Sequence, residues 1–322
     1  MAHFIFRRFL TLIPLLLAIS VLSFALLEMA PGDYLSVLKG NRELSPEYID
    51  QLRKDFGLDK SYAEQFVIWF KKAIQFDFGP SFAYRMPVSE LLAQRIPATL
   101  LLAFSSALFA WIIAIPLGVL AAIYQNSIFD RLASGLAFFS LSIPEFFLAL
   151  LAIFFAAQTG WFPLGGLYSA DFEFLSFSQK TIDILHHLVL PTFVLGIGSV
   201  ASLMRLMRAN FLEEIRANYV VTARAKGLPN SIVMFRHVLR NAINPLITIL
   251  GYSIAGLLSG SLIVETIMSY PGLGQLVYES LLRKDLYVVM ASILMASVLL
   301  VFGNLVSDLL LAICDPRIRL KR

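Results

Sequence analysis

Six apolar runs, each long enough to cross a hydrocarbon core, constrain this chain more than any other feature. They are Phe9 to Met29, Ala98 to Tyr124, Leu132 to Gly160, Leu188 to Met204, Ala242 to Val264 and Leu286 to Ile313. A helix needs ~20 residues to span the ~30 Å of lipid tails, and only Glu28, Glu145 and Asp308 are charged within these runs. Backbone polar groups find no water in lipid, so each run is expected to be helical. The fold class expected is therefore all-α integral membrane with six transmembrane helices, and an even number puts both termini on one side. With 15% charged residues against 58% hydrophobic, the chain is not composed like a soluble domain.

Basic residues in short loops set the orientation. One side collects Arg7, Arg8, Arg131, the basic residues from Arg205 to Arg240, and the tail Arg317, Arg319, Lys321 and Arg322. The other has Lys180, Arg283 and Lys284 against Asp171, Glu173, Asp183, Glu279 and Asp285. The first side, with both termini, is expected to be cytoplasmic. Orientation thus accounts for the formal charge of +4 without a nucleic-acid partner. Cys314 is the sole cysteine, which rules out an intrachain disulfide and a thiol or zinc framework. Arg7 and Arg8 precede a run that reaches Met29, too long for a signal-peptide core and closed by no small-residue cleavage site. It is expected to stay as the first span.

Residues 30–97 then face outward. Ser45-Pro46-Glu47 reads as an N-cap with proline at the first helical position, leading Ile49, Leu52 and Phe56 along one face. Ser61 and Glu64 form a capping box ahead of Phe66, Trp69, Phe70 and Ala73 at helical spacing, and Asp77-Phe78-Gly79-Pro80 ends that helix. Two amphipathic helices without a core of their own are expected on the outer leaflet or on the ends of the spans. Trp161 to His186 and Tyr270 to Gly274 make the other outer loops, the former with aromatic residues suited to the interface. One membrane domain, residues 1–322, is expected.

Between the fourth and fifth runs lies the polar interval 209–241, and the stretch Asn218 to Pro245 carries a marked basic excess. Its first arm has apolar or small residues at Tyr219, Val220, Ala223 and Ala225 and stops at Lys226-Gly227, with Pro229 just beyond. A cation in the last turn, glycine where the backbone turns left-handed, and proline after it form a helix stop. A second arm is predicted from Asn230 or Ser231, as N-cap, to about Asn241, with Ile232, Phe235, Val238 and Leu239 on one face. Arg224, Lys226, Arg236 and Arg240 make this elbow basic, and Ala223 and Ala225 leave its first arm thin enough for another protein to approach its backbone. Spacing alone fits an ordinary cytoplasmic loop equally well.

Thr222-Ala223-Arg224-Ala225-Lys226-Gly227-Leu228, followed by His237-Val238-Leu239-Arg240-Asn241, resembles the "EAA" coupling loop of ABC importer permeases, in the form found in the dipeptide and oligopeptide permease family. Val221 stands where the general motif has Glu. Other intervals are similar to the same family: Ala30-Pro31-Gly32-Asp33, Phe56-Gly57-Leu58-Asp59, Arg95-Ile96-Pro97-Ala98-Thr99-Leu100, Ser142-Ile143-Pro144, Val264-Glu265-Thr266-Ile267, Tyr270-Pro271-Gly272-Leu273-Gly274 and Cys314-Asp315-Pro316-Arg317-Ile318-Arg319. The resemblance runs over essentially the whole chain. It implies a type I ABC importer permease fold in the cell inner membrane, forming half of a heterodimeric pore. The implied partners are a second homologous permease, two ATP-binding subunits and an extracytoplasmic solute-binding protein. It implies ATPase-coupling residues at Tyr219, Thr222, Ala223, Arg224, Ala225, Lys226, Gly227, Arg236, His237 and Arg240. Dipeptides or oligopeptides lead as substrates, while nickel and glutathione permeases share these motifs.

No Gly-x-x-x-x-Gly-Lys-Ser/Thr phosphate loop occurs in the sequence, so ATP and Mg are expected on the partner subunits, with no cofactor, metal or catalysis on this chain. The alternative class, an ion-coupled secondary transporter, calls for several intramembrane carboxylates or helices broken at matching positions of two halves. Glu145, beside Ser142, would cost ~2.5 to 3.5 kcal/mol or more if ionised in lipid. It is read as facing the translocation pathway, where it meets the cationic end of a peptide or a metal, or as paired with a hydroxyl or an arginine of a neighbouring span. Asn304 and Asp308, four apart, are read as interhelical hydrogen-bonding groups beside that pathway. Glu265 has a gate or packing role. His186 and His187 point in different directions and read as a boundary pair, not a metal site. Arg205 and Arg208 are expected to snorkel to the inner headgroups.

Overall fold

The computed structural model describes residues 2–29, 51, 59–247, 249 and 262–314, with backbone alone at 2–12, 27–28, 62 and 307–314. In chain order the helices are α1 (Ala2–Glu28), α2 (Tyr62–Ala73), α3 (Val88–Ile123), α4 (Ile128–Ser142), α5 (Glu145–Thr159), α6 (Phe177–Ile215), α7 (Asn218–Ala225), α8 (Leu273–Leu282) and α9 (Leu286–Cys314). A three-part helical arm between α7 and α8 is treated below. Among the described residues the only β contact is an isolated bridge between Pro80 and Pro87, so the all-α expectation holds.

α3, α6 and α9 are each long and apolar enough to cross a membrane unaided. In α1 the described apolar stretch is Ile13–Leu26. Most of the fifth run lies outside the described residues, as do Ala30 to Asp33, the helix expected after Ser45, Phe56 to Leu58 and the Asp315-Pro316-Arg317 tail. The third run departs from a simple span. It consists of α4 and α5, which meet at an angle of 99°. The cause is local: Pro144 disfavours the α conformation in the residue before it, and Ile143 is extended, with φ −91° and ψ 122°. Pro144 then serves as the N-cap of α5.

The chain forms two compact units, Met1–Thr99 with Pro271–Val301, and Leu100–Tyr270 with Phe302–Arg322. In the first, the Glu64 carboxylate accepts from both the N–H and the hydroxyl of Ser61, at 3.2 and 2.9 Å, the expected capping box at the head of α2. Phe66 sets its edge on Phe24 of α1 with centroids 5.5 Å apart. Trp69 and Ala73 are buried with Phe78, Val88, Leu92, Leu276 and Val288. Of the two placements expected for this helix, it takes the one on the ends of the spans. Two family-like segments meet in this unit, since the Leu273 N–H donates to the Thr99 hydroxyl at 2.7 Å. Asp285 is fully buried and accepts from the Ser81 hydroxyl at 2.7 Å and the Ala83 N–H at 2.8 Å.

In the second unit, α4 and α5 pack along α6. Small side chains let helices approach closely: Ala110, Ala114, Ala121 and Ala122 of α3 share a buried core with Ala201, Met204, Met207 and Phe211 of α6. Gly118 marks a close approach of backbone in this core, because a Cβ there would lie 2.7 Å from the Met204 carbonyl oxygen. Near the start of α6, His186 Nε2 lies 2.8 Å from the Trp161 carbonyl oxygen and His187 Nδ1 lies 2.8 Å from that of Asp183. The His186 imidazole thus pins the loop that carries Trp161 to α6, while His187 bonds within the helix. No group of metal-ligating side chains occurs among the described residues.

Candidate functional site: a basic elbow

α6 ends at Ile215, and two residues later α7 begins, with Ala217 extended at its N-cap. The Tyr219 hydroxyl donates to the Glu214 carboxylate across this corner. Burial, then that bond, raises the phenol's pKa, so it stays a donor. α7 buries Val220 and Ala223 and exposes Thr222, Arg224, Ala225 and Lys226. Its stop is the one expected. Gly227 has φ +76°, its N–H donates to the Arg224 carbonyl at 2.9 Å, and the Leu228 N–H donates to the Ala223 carbonyl at 3.3 Å. These two bonds are the Schellman pairing, which needs a left-handed residue at the position of Gly227.

The second arm differs from its expected form in two ways. Pro229, not Asn230 or Ser231, is the N-cap; the Asn230 carbonyl oxygen Oδ1 instead accepts from Arg224 at 3.5 Å, tying one arm to the other. The arm also changes pitch, with an α-turn Asn230–Ile232, a π-helical stretch Val233–Val238 and an α-turn Leu239–Ala242. A π-turn closes i to i+5, so Val233 and Val238 fall on one face. They are buried with Met234 and Ala242. Ile232 and Phe235, expected on the same face as Val238, are exposed, Phe235 by 59%. Arg236 and Arg240 are exposed and His237 half-buried.

Two consequences follow from this geometry. The buried side of the elbow, Val220, Ala223, Val233, Met234 and Val238, belongs to the same core as Met207 and Phe211 of α6, so the elbow is packed onto that helix. The outward side combines Val221, which is 62% exposed, Leu228, Ile232 and Phe235 with Arg224, Lys226, Arg236 and Arg240. The apolar half of that face was not legible in α-helical periodicity, because the π-turn shifts the register.

Asp130 was not singled out from the sequence. It is only 4% exposed at the start of α4, and its oxygens accept from Arg208 Nε at 2.6 Å and Nη2 at 2.7 Å. The Asn126 N–H and, more weakly, the Ser134 hydroxyl also donate to it. The Arg208 guanidinium, working against burial, holds its pKa down to about 2. Arg208 is therefore locked to α4 and does not snorkel as expected. Arg205 lies over the Phe138 ring of α4, 4.9 Å from its centroid.

The remaining singled-out residues fall in separate places. Ser142, whose hydroxyl back-bonds to the Phe138 carbonyl at 3.0 Å, and Glu145, exposed as the first residue of α5, flank the break in the third run. Glu265 is fully buried, and its carbonyl accepts from the Tyr270 N–H at 2.8 Å. Burial, then the charge of Glu265, raises the Tyr270 phenol's pKa. Asn304 is half-buried on α9, and the side chain of Asp308 lies outside the described residues.

Comparison with known families matches residues 114–320 to the family described as binding-protein-dependent transport system inner membrane component, and residues 1–103 to the N-terminal part of such membrane components. The chain belongs to this family. The permease is 41% identical over 320 residues to the oligopeptide transport system permease protein AppB of Bacillus subtilis (strain 168), covering 99% of each chain. It is 37% identical over 340 residues to the dipeptide transport system permease protein DppB of Escherichia coli (strain K12), covering 100% of each. Among solved structures, the MetNI methionine ABC transporter in an inward-facing conformation matches with a TM-score of 0.56 and 20% identity, over 70% of this chain and 96% of that one. That likeness is one of fold, the type I permease fold expected from the sequence.

Proposed function

We propose that this permease forms half of the translocation pore of an ATP-driven importer of dipeptides or oligopeptides. It crosses the inner membrane six times with both termini and the elbow in the cytoplasm. Two ATP-binding subunits dock on the elbow, a second homologous permease completes the pore, and an extracytoplasmic solute-binding protein delivers the substrate. ATP and Mg stay on the docked subunits, and this chain supplies movement without catalysis.

The observation that carries the reading is the two-sided elbow. Its outer face is apolar and cationic, and its inner face is continuous with the core of α6. Closure of the ATPases then moves the elbow and the packed spans together, switching the pore between inward-open and outward-open packings. A nearly complete swing requires several kcal/mol of preference from the engine. The peptide class is supported by the names of the AppB and DppB relatives. At the break of the third run, the exposed Glu145 carboxylate is the proposed contact for the cationic end of the peptide, and buried Glu265 serves packing.

Co-purification tests the docking. The tagged wild-type chain should retain the second permease and both ATPases, while Phe235→Asp with Arg224→Glu should lose the ATPases and keep the second permease. Retention of the ATPases by that double variant, or peptide uptake by the isolated chain in an ion gradient, would refute the reading.

A further inference from the structure

One stripe of α6 is unlike a helix face turned to lipid. Gly198, Ser202, Arg205 and Ala209 are four, three and four residues apart and so share a face. Ser202 and Ala209 are exposed, and a Cβ built on Gly198 would meet no atom within 4 Å. The open faces of α4 and α5 carry Leu132, Leu136, Phe139, Leu150 and Phe154 instead, bulky apolar groups of the kind lipid tails accept. Polar and charged residues at membrane depth turn to a bundle interior or a water-filled cavity. On the reading that this chain forms half of a pore, the stripe faces that pore.

Arg205 is the charged member of the stripe, and its direction matters. Side chains on a helix lean toward its N-terminus, and α6 runs from the outer to the inner side in the proposed orientation. The guanidinium is therefore carried back into the membrane, away from the inner headgroups. It rests 4.9 Å from the centroid of the Phe138 ring, within the third apolar run and one turn before Ser142. The ring supports the cation but supplies no acceptor. Arg205 Nε is buried and donates to no partner among the described residues, and the ion pairs among them leave Arg205 out. Arg208, three residues on, is by contrast matched by Asp130 through two bonds.

A guanidinium stays charged and grips a carboxylate with two parallel donors. A peptide carries such a carboxylate at its C-terminus. We propose that Arg205 receives the C-terminal carboxylate of the peptide in the pathway, opposite in charge to the Glu145 contact for its N-terminal ammonium. The inference rests on the peptide-pore reading and deepens it. The spacing suits the cargo: Phe138 and Ser142 are one helical turn, ~6 Å, apart, and three extended residues from Ser142 to Glu145 add at most ~11 Å. The Cα atoms of Phe138 and Glu145 are thus no more than ~17 Å apart, the reach of about five extended residues.

The test is uptake by proteoliposomes that hold the complete transporter with its solute-binding protein, supplied with saturating trialanine or trialanine amide. Both peptides keep the N-terminal ammonium, and the binding protein is the same for every variant. A change in the ratio of free-acid to amide rate therefore reports the carboxylate contact in the permease. Arg205→Gln should lower that ratio about tenfold, the worth of a hydrogen bond to a charged group, and Arg205→Lys should restore most of it. An unchanged ratio in Arg205→Gln would overturn the proposal, whether both rates hold or both fall. Loss of the second permease from purified Arg205→Gln would also overturn it and assign the side chain to the contact between permeases. A wild type that takes up neither peptide refutes the peptide reading itself, whereas trialanine uptake by wild type with an unchanged ratio in the variant refutes the role of Arg205 alone.

Discussion

Gly227 offers a perturbation in which space and backbone conformation are separable. A Cβ added there meets no atom within 4 Å, so the first cost of any side chain comes from φ +76°. A left-handed conformation costs an L residue ~1 to 2 kcal/mol, less for Asn and more for a β-branched side chain. The alternative open to the chain is to abandon the turn, releasing the Gly227 to Arg224 and Leu228 to Ala223 bonds. At ~0.5 to 1.5 kcal/mol each, those are worth ~1 to 3 kcal/mol together. Asn and Ala should therefore keep the turn under modest strain, whereas Val should tip it open. The elbow would lose its shape while the spans stay folded. We expect Gly227→Asn to transport nearly as wild type and Gly227→Ala to be partly reduced. Gly227→Val should lose uptake and transport-stimulated ATP hydrolysis with little change in the melting temperature of the complex. Reconstituted uptake and ATPase measurements across the three variants check this. Wild-type coupling in Gly227→Val would refute the lever, and an Asn variant as defective as Val would refute the backbone argument.

Two further perturbations probe the packing beneath the elbow. Removing one member of the buried Asp130 and Arg208 pair should destabilise the protein by ~3 kcal/mol, at the lower end for buried pairs because Arg208 keeps some solvent access. Asp130→Leu with Arg208→Leu should cost clearly less than the sum of the single changes by thermal melting; strict additivity would count against the pair. Because the Asp130 pKa is depressed to about 2 when folded, its contribution is complete above pH ~4 and is lost as pH falls towards 2. A melting profile across that window should therefore be steeper in the wild type than in the double variant. Gly118→Ala should cost ~1 to 3 kcal/mol, because the atom in its way is the backbone oxygen of Met204, which yields less readily than a side chain. An unchanged melting temperature would contradict the close approach of α3 and α6.

Much of the elbow was legible from local chemistry. Lys226-Gly227-Leu228-Pro229 announces a Schellman stop because every group in it lies within six residues of chain, and the bonds from Gly227 and Leu228 form as that pattern predicts. The Ser61 and Glu64 capping box is legible for the same reason. The second arm was misread where local pattern and tertiary packing disagree. Ile232 and Phe235 suit an α-helical stripe with Val238, yet burial against α6 selects Val233, Met234 and Val238, and the backbone widens to a π-turn to deliver them. Residues 132–160 read from the sequence as one continuous span, because apolar length outweighed Pro144; the break and its 99° angle emerge in the structure, where α4 and α5 pack on α6.

By itself the sequence determined the class of the molecule. Apolar length and the absence of water in lipid leave helices as the way to satisfy the backbone, basic loops and family-like motifs mark the elbow, and glycine marks its hinge. Only the tertiary structure decided which charges are spoken for. Asp130 and Arg208 are 78 residues apart, and nothing in either neighbourhood announces the other. Pairing is a property of helix packing, where a ~1.5 Å rise per residue turns small differences in register into contact or separation. The same packing leaves Arg216 and Arg224 exposed while locking Arg208 against α4.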